Sequence, residues 1–114
     1  HADKQGNKAT IAVMFTKGSE NAAIKDIWAF MPEKASKSNT KLAGISAKNL
    51  LPSDLAYYQV SGSLSTPPCT ENVLWLIMKQ PLTAAEGQFE HFGHIIDLPN
   101  NRPIQAINAR TILE

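Results

Sequence analysis

The sequence predicts an α+β fold, mainly β with peripheral helices, and three observations carry that expectation. Val73–Met78 is apolar at both alternations (Val73, Trp75, Ile77 against Leu74, Leu76, Met78), which suits a strand in the middle of a sheet covered on both sides. Ala9–Phe15 reads as a second strand, with Ile11, Val13 and Phe15 to one side and Thr10, Ala12 and Met14 to the other. Two further stretches carry apolar residues at helical rather than strand spacing.

Taken in order, His1–Thr10 is polar, and its Asp3–Asn7 segment reads as a turn into the first strand. Lys17-Gly18-Ser19 ends that strand. A helix follows with Asn21 as its cap, because Ile24, Ile27, Trp28 and Met31 fall at i, i+3, i+4, i+7. Pro32 closes it, and Lys34–Lys41, rich in Ser, Lys, Asn and Thr, reads as an exposed, solvated loop. Leu50–Leu55 is a turn leading into a strand over Tyr57–Ser61. After the Val73–Met78 strand, Thr83-Ala84-Ala85-Glu86 has the form of a capping box that opens a second helix with the stripe Ala85, Phe89, Phe92, Ile96. Gly87 and Gly93 each weaken that helix by about 1 kcal/mol relative to Ala, so it depends on packing. Asn100–Pro103 reads as a turn, with short strands near Gln105–Ile107 and Thr111–Leu113.

Composition excludes several function classes. A formal net charge of +1 gives no reason to expect a nucleic acid or an acidic membrane as partner. The longest apolar run is too short to span a bilayer. Hydrophobic residues at 43% argue against a disordered chain. The polar opening without Met looks like a strand end and turn from mid-protein, and any export signal is expected upstream. Cys69, the only cysteine, is a buried thiol, a reactive thiol or half of a bridge to something outside the chain. His91 and His94 stand i, i+3 on the second helix, but no third ligand is near in sequence, so solvent-exposed histidines are expected.

The informative stretch is Ser61-Gly62-Ser63-Leu64-Ser65-Thr66-Pro67-Pro68-Cys69-Thr70-Glu71-Asn72-Val73-Leu74-Trp75. By residue type it is a hydroxyl-rich loop stiffened by two prolines, one bond of which is a candidate for cis, running into a buried strand. From composition alone a Ser/Thr/Pro turn between strands is the favoured reading. Ser65 does not fit a hydrolase nucleophile, because the Gly-x-Ser-x-Gly elbow is absent and no motif places a histidine base.

This stretch resembles the pattern Gly-Ser-Leu-Thr-Thr-Pro-Pro-Cys-Thr-Glu-Gly-Val-x-Trp of the α-class carbonic anhydrases, bacterial type. Leu50-Leu51-Pro52-x-x-Leu55-x-Tyr57-Tyr58, Asn100-x-Arg102-Pro103-Ile104-Gln105 with Arg110, and His1–Asn7 are similar to other segments of that family, in the same order. The resemblance covers essentially the whole chain and is weakest around Lys34–Lys48. It implies that residues 1–114 are the carboxy-terminal portion of a single domain built on a large, twisted, mostly antiparallel central sheet. The amino-terminal portion, with three zinc-binding histidines upstream of His1, is then missing, and no metal ligand is expected in this chain.

The resemblance further implies an enzyme that reversibly hydrates carbon dioxide to bicarbonate and a proton by zinc-bound hydroxide, with Zn²⁺ as cofactor. Ser65 takes the gatekeeper position, where the family usually has threonine. The hydroxyl survives, but the missing methyl frees χ1 and makes the gate less rigid. Thr66, Leu64, Trp75 and Thr10 match substrate-pocket positions, Thr10 replacing a customary valine. Asn100 and Arg102 resemble structural anchors near the gate. Cys69 matches a cysteine bridged to one far upstream, which implies a periplasmic or secreted bacterial protein. Carbon dioxide, bicarbonate, and sulfonamide and anion inhibitors are the implied partners. A homodimer is left open, and neither nucleic acid nor membrane insertion is expected. The alternatives are a catalytically inactive binding or structural module on the same fold, and an unrelated β-rich domain. Half a sheet leaves unpaired edges and uncovered apolar faces, so this chain by itself is expected to be inactive and poorly stable.

Overall fold

A computed structural model describes residues 1–31, 46–96 and 99–114. The described elements are β1 (Lys8–Ala12), β2 (Phe15–Lys17), α1 (Ala22–Trp28), a 3₁₀ turn (Ala47–Leu50), β3 (Tyr57–Gly62), β4 (Val73–Met78), β5 (Leu82–Ala84), α2 (Glu86–Ile96) and β6 (Ile112–Leu113). A four-stranded mixed sheet runs β1-β4-β3-β6, and β2 pairs with β5 in a second, two-stranded sheet. β4 is parallel to β1 and antiparallel to β3, and β6 is antiparallel to β3. The expected mainly β architecture with outer helices is therefore present, but the pairing is evenly mixed rather than mostly antiparallel: β1–β4 and β2–β5 are parallel, β3–β4 and β3–β6 antiparallel.

β4 spans the residues the sequence pattern assigned to it and lies between β1 and β3, with Val73 at 0% exposure and Met78 also buried. Its faces are covered less than the pattern implies, for Leu74 remains 39% exposed. The continuous strand expected over Ala9–Phe15 is instead two strands. Lys8–Ala12 follows β4, the chain steps across Val13-Met14, and Phe15–Lys17 then follows β5 in parallel. Alternation survives such a step, so it did not reveal the break.

α1 begins as its sequence indicates. Asn21 holds an extended backbone, and its Oδ1 accepts the Ile24 N–H at 3.0 Å, satisfying one of the donors a helix start leaves open. Ile24 is buried. Ile24, Ile27 and Trp28 line a cleft of about 350 Å³ together with Phe15, Leu50, Phe89 and Phe92, so the two helical stripes meet over the β2/β5 pair. The helix ends at Trp28 with Ala29 as its cap, so Met31 lies beyond it and the end comes before Pro32; Pro32 itself and the Lys34–Lys41 loop fall outside the described residues.

The second helix corrects the capping-box reading. Thr83 belongs to β5 and pairs with Thr16, and its Oγ1 lies 2.9 Å from Ser19 Oγ. The box function shifts by two residues: Gln88, in the first turn of α2, reaches back so that its Oε1 accepts the Ala85 N–H at 3.0 Å. Gln105–Ile107 forms no strand, and Asn100–Pro103 no defined turn. The turn comes at Asn108-Ala109, both at positive φ (49° and 62°), and β6 begins only at Ile112.

Candidate functional site

Thr10 pairs with Trp75, Trp75 with Val60, and Val60 with Ile112. Directly paired residues share a face, so these four side chains form one row across the sheet. Thr10 and Trp75 are half-buried in that row. The loop between β3 and β4 rises from the end of the same sheet, carrying Leu64, Ser65 and Thr66.

Several hydrogen bonds shape this loop. The Leu64 N–H donates to the Thr70 carbonyl at 2.9 Å, and the Cys69 N–H donates to the Thr66 carbonyl at 2.9 Å. The Trp75 indole Nε1–H donates to the Ser63 carbonyl at 3.0 Å. Arg102 Nη1 donates to Ser63 Oγ at 2.9 Å and reaches the Leu64 carbonyl at 3.5 Å. The Pro67–Pro68 bond is cis, and Cys69 and Asn72 take left-handed backbone conformations (φ 56° and 62°), a region that disfavours side chains other than Asn and Asp. Gly62 is buried against Trp75: a Cβ there would lie 3.1 Å from Cδ1 and 3.3 Å from Nε1, so the close approach of the indole calls for glycine.

Ser65 and Thr66 are exposed, while Leu64 beside them is half-buried. Behind the loop, Ser63, Glu71, Arg102 and Arg110 line a polar cavity of about 310 Å³. Thr10, Leu64, Ser65, Thr66 and Trp75 thus lie on one β1–β4–loop assembly. Arg102 reaches it from the chain's tail. Asn100 is exposed.

Cys69 is half-buried and is a free thiol in this chain. His91 and His94 are both exposed, as expected, and His91 tilts over Trp28 with ring centroids 6.1 Å apart. Among the described residues no three His, Cys, Asp or Glu side chains gather closely enough to hold a metal ion. No described helix is long and apolar enough to cross a membrane.

Sequence reasoning missed two polar groups that organise the molecule. Ser63 was read only as part of a motif, although the structure holds it at both its hydroxyl and its carbonyl. Gln88 went unnoticed, yet it is buried and joins two segments: its Oε1 also accepts the Asn21 N–H at 2.8 Å, and its Nε2 donates to the Asn21 carbonyl at 2.8 Å. A glutamine three residues after Ala85, the residue just ahead of the helix, was the available signal for Gln88. Nothing local marked Ser63, because both partners that hold its oxygens lie elsewhere in the sequence.

A family model described as eukaryotic-type carbonic anhydrase matches residues 1–114. A carbonic anhydrase of Klebsiella pneumoniae is 40% identical over 114 residues, which are all of this chain and 46% of that protein. Among solved structures, an α-carbonic anhydrase from Thermovibrio ammonificans in complex with the inhibitor sulfanilamide superposes with a TM-score of 0.93 at 39% identity, over 100% of this chain and 50% of the other. A hyperthermostable carbonic anhydrase from a hydrothermal vent chimney gives 0.92 at 45% identity, over 98% and 50%. The chain spans about half the length of the relatives it matches.

Proposed function

Because this chain belongs to the eukaryotic-type carbonic anhydrase family, we propose that the intact protein reversibly hydrates carbon dioxide to bicarbonate and a proton, using zinc held by histidines outside residues 1–114. When bound, zinc supplies a Lewis acid that makes water nucleophilic near neutral pH. The work of this chain is to hold the substrate and to direct a proton. Leu64, Trp75 and Thr10 provide a largely apolar wall for carbon dioxide, which offers little to hydrogen-bond. Ser65 Oγ accepts a hydrogen bond from the attacking oxygen and donates its own O–H to a carboxylate, which leaves a lone pair aimed at the substrate carbon. Thr66 then receives the bicarbonate oxygens.

The observation that carries the reading is that the loop bearing Ser65 is fixed through the Ser63 carbonyl to Trp75, on the sheet face that also bears Thr10. Strand geometry adds support. His1 and Ala9 exchange two hydrogen bonds of 2.9 Å, and Ala2 bridges Lys8 antiparallel, so Asp3–Asn7 is the turn of a hairpin on the free edge of β1. Carried further along that edge, the ladder pairs the third residue before His1 with Ala12, on the face of Thr10 and Trp75. This is the position where the family resemblance expects the last zinc histidine. The same alternation turns His1 to the opposite face, which argues against His1 as a ligand. The reading also extends to a disulfide from Cys69 to an upstream cysteine in an oxidising compartment.

Replacing Ser65 in the intact protein tests it. Ser65→Ala should slow stopped-flow carbon dioxide hydration by about 10²-fold, the scale of a misoriented reacting group, and weaken sulfonamide binding in parallel. An unchanged rate would show that Ser65 is no gate. Zinc content measured beside the rate separates the enzyme from an inactive module of the same fold, which would hold no stoichiometric zinc.

A further inference from the structure

We propose that Ser63 is the positioning residue of the site: gripped by Arg102 and Trp75, it sets the height and direction at which the loop presents Ser65. This inference rests on the reading of Ser65 given above. Ser63 stands two residues ahead of Ser65 and is held twice, its Oγ by Arg102 Nη1 at 2.9 Å and its carbonyl by Trp75 Nε1 at 3.0 Å. The same peptide is held on its other side, since Leu64 donates its N–H to the Thr70 carbonyl at 2.9 Å. On the far side of Ser65, Pro67 and Pro68 each lock φ near −65° through their rings. The freedom that remains to steer Ser65 therefore lies on its amino-terminal side, and that is where these three contacts fall.

The clasp is built across the chain. Arg102 comes from the tail, thirty-nine positions from Ser63. Among the described residues it makes no ion pair, so its guanidinium is spent on this loop. Gly62 completes the arrangement, because any Cβ there would push the indole whose N–H holds the Ser63 carbonyl. The three grips act on uncharged backbone and hydroxyl positions immediately ahead of Ser65, which is where a positioning group would act.

A double-mutant cycle in the intact, zinc-loaded protein tests the proposal. Ser63→Ala should lower kcat/KM for hydration about tenfold, the scale of a modest misplacement of a reacting group, and Ser63→Thr should restore most of it. In a Ser65→Ala background the same Ser63→Ala change should cost almost nothing further, because its effect passes through Ser65. In metal-free protein, the Ser65 amide resonance should shift and broaden in Ser63→Ala and return in Ser63→Thr. Arg102→Met, which removes the donor instead, repeats the cycle should Ser63→Ala fail to fold. Equal losses in both backgrounds, or a Ser65 amide that does not respond, would overturn the inference while leaving Ser65 as the gate. A Ser65→Ala protein of undiminished rate would overturn the reading of Ser65 and this inference with it.

Discussion

Trp75 and Trp28 stand in two regions built on different terms. Around Trp75 the sheet is held by backbone ladders, and its apolar side chains are left partly uncovered: Ile11 is 54% exposed, Ile112 49% and Leu74 39%. Around Trp28 the two helices cover the β2/β5 pair. The indole stacks on Phe92 at 5.6 Å, and Gln88, the one buried polar side chain among the described residues, finds its hydrogen-bond partners within the chain. In the helix region the buried polar groups are satisfied from within the chain, yet Phe89 and Phe92 remain 40% and 36% exposed, so apolar surface is left open in both regions. That agrees with a chain spanning about half of its relatives.

The two tryptophans make this contrast measurable. Residues 1–114 alone, followed by urea titration in Trp28→Phe and Trp75→Phe forms, should show a broad, non-cooperative change at Trp75 and a more retained environment at Trp28. A single sharp transition common to both would break the comparison. In the intact protein, Gln88→Ala leaves the Asn21 and Ala85 N–H groups without their acceptor and should cost about 2–3 kcal/mol in urea melts, with the hydration rate unchanged within about twofold. Ser65→Ala should do the reverse, removing rate and sparing stability, so matched losses in both measurements for either variant would erase the division. The smallest effect belongs to the hairpin turn. The Asn7 side-chain amide donates to Asp3 Oδ2 at 2.7 Å and, with backbone N–H groups of Asn7 and Gln5, holds the Asp3 carboxyl below its ordinary 3.8. A depressed folded value means the contact contributes above pH 3.8 and is lost as pH falls through the folded value. NMR titration of Asp3 should show that depression, and Asn7→Ala should raise the midpoint toward 3.8.

The legible parts of this molecule were those written in short stretches of sequence. The doubly apolar run 73–78 became β4 with its limits intact, and Asn21 capped α1, because burial pattern and capping act over a few residues. The 61–75 stretch announced the site through its order of hydroxyls, prolines and apolar residues. Contacts between distant segments were not legible. The step between β1 and β2 is imposed by two different partner strands, and the Thr83 box lost to a pairing with Thr16 far earlier in the chain. Ser63 with Arg102 and Asn21 with Gln88 are thirty-nine and sixty-seven positions apart. Neither pairing has a periodicity to betray it.

The two parallel ladders close nearly the same loop of chain, one joining Lys8–Ala12 to Val73–Ile77 and the other Phe15–Lys17 to Leu82–Ala84. Bringing those distant stretches together is entropically costly the first time and nearly free the second, since the ends have already met. The three-residue pair β2/β5 is therefore a passenger on the longer ladder, ordered when β1 finds β4 and released when that partnership fails. Lengthening the connection between them adds little to this cost, about 0.6 kcal/mol for each doubling. Insertions between α1 and β3 are accordingly among the cheapest changes this architecture can absorb.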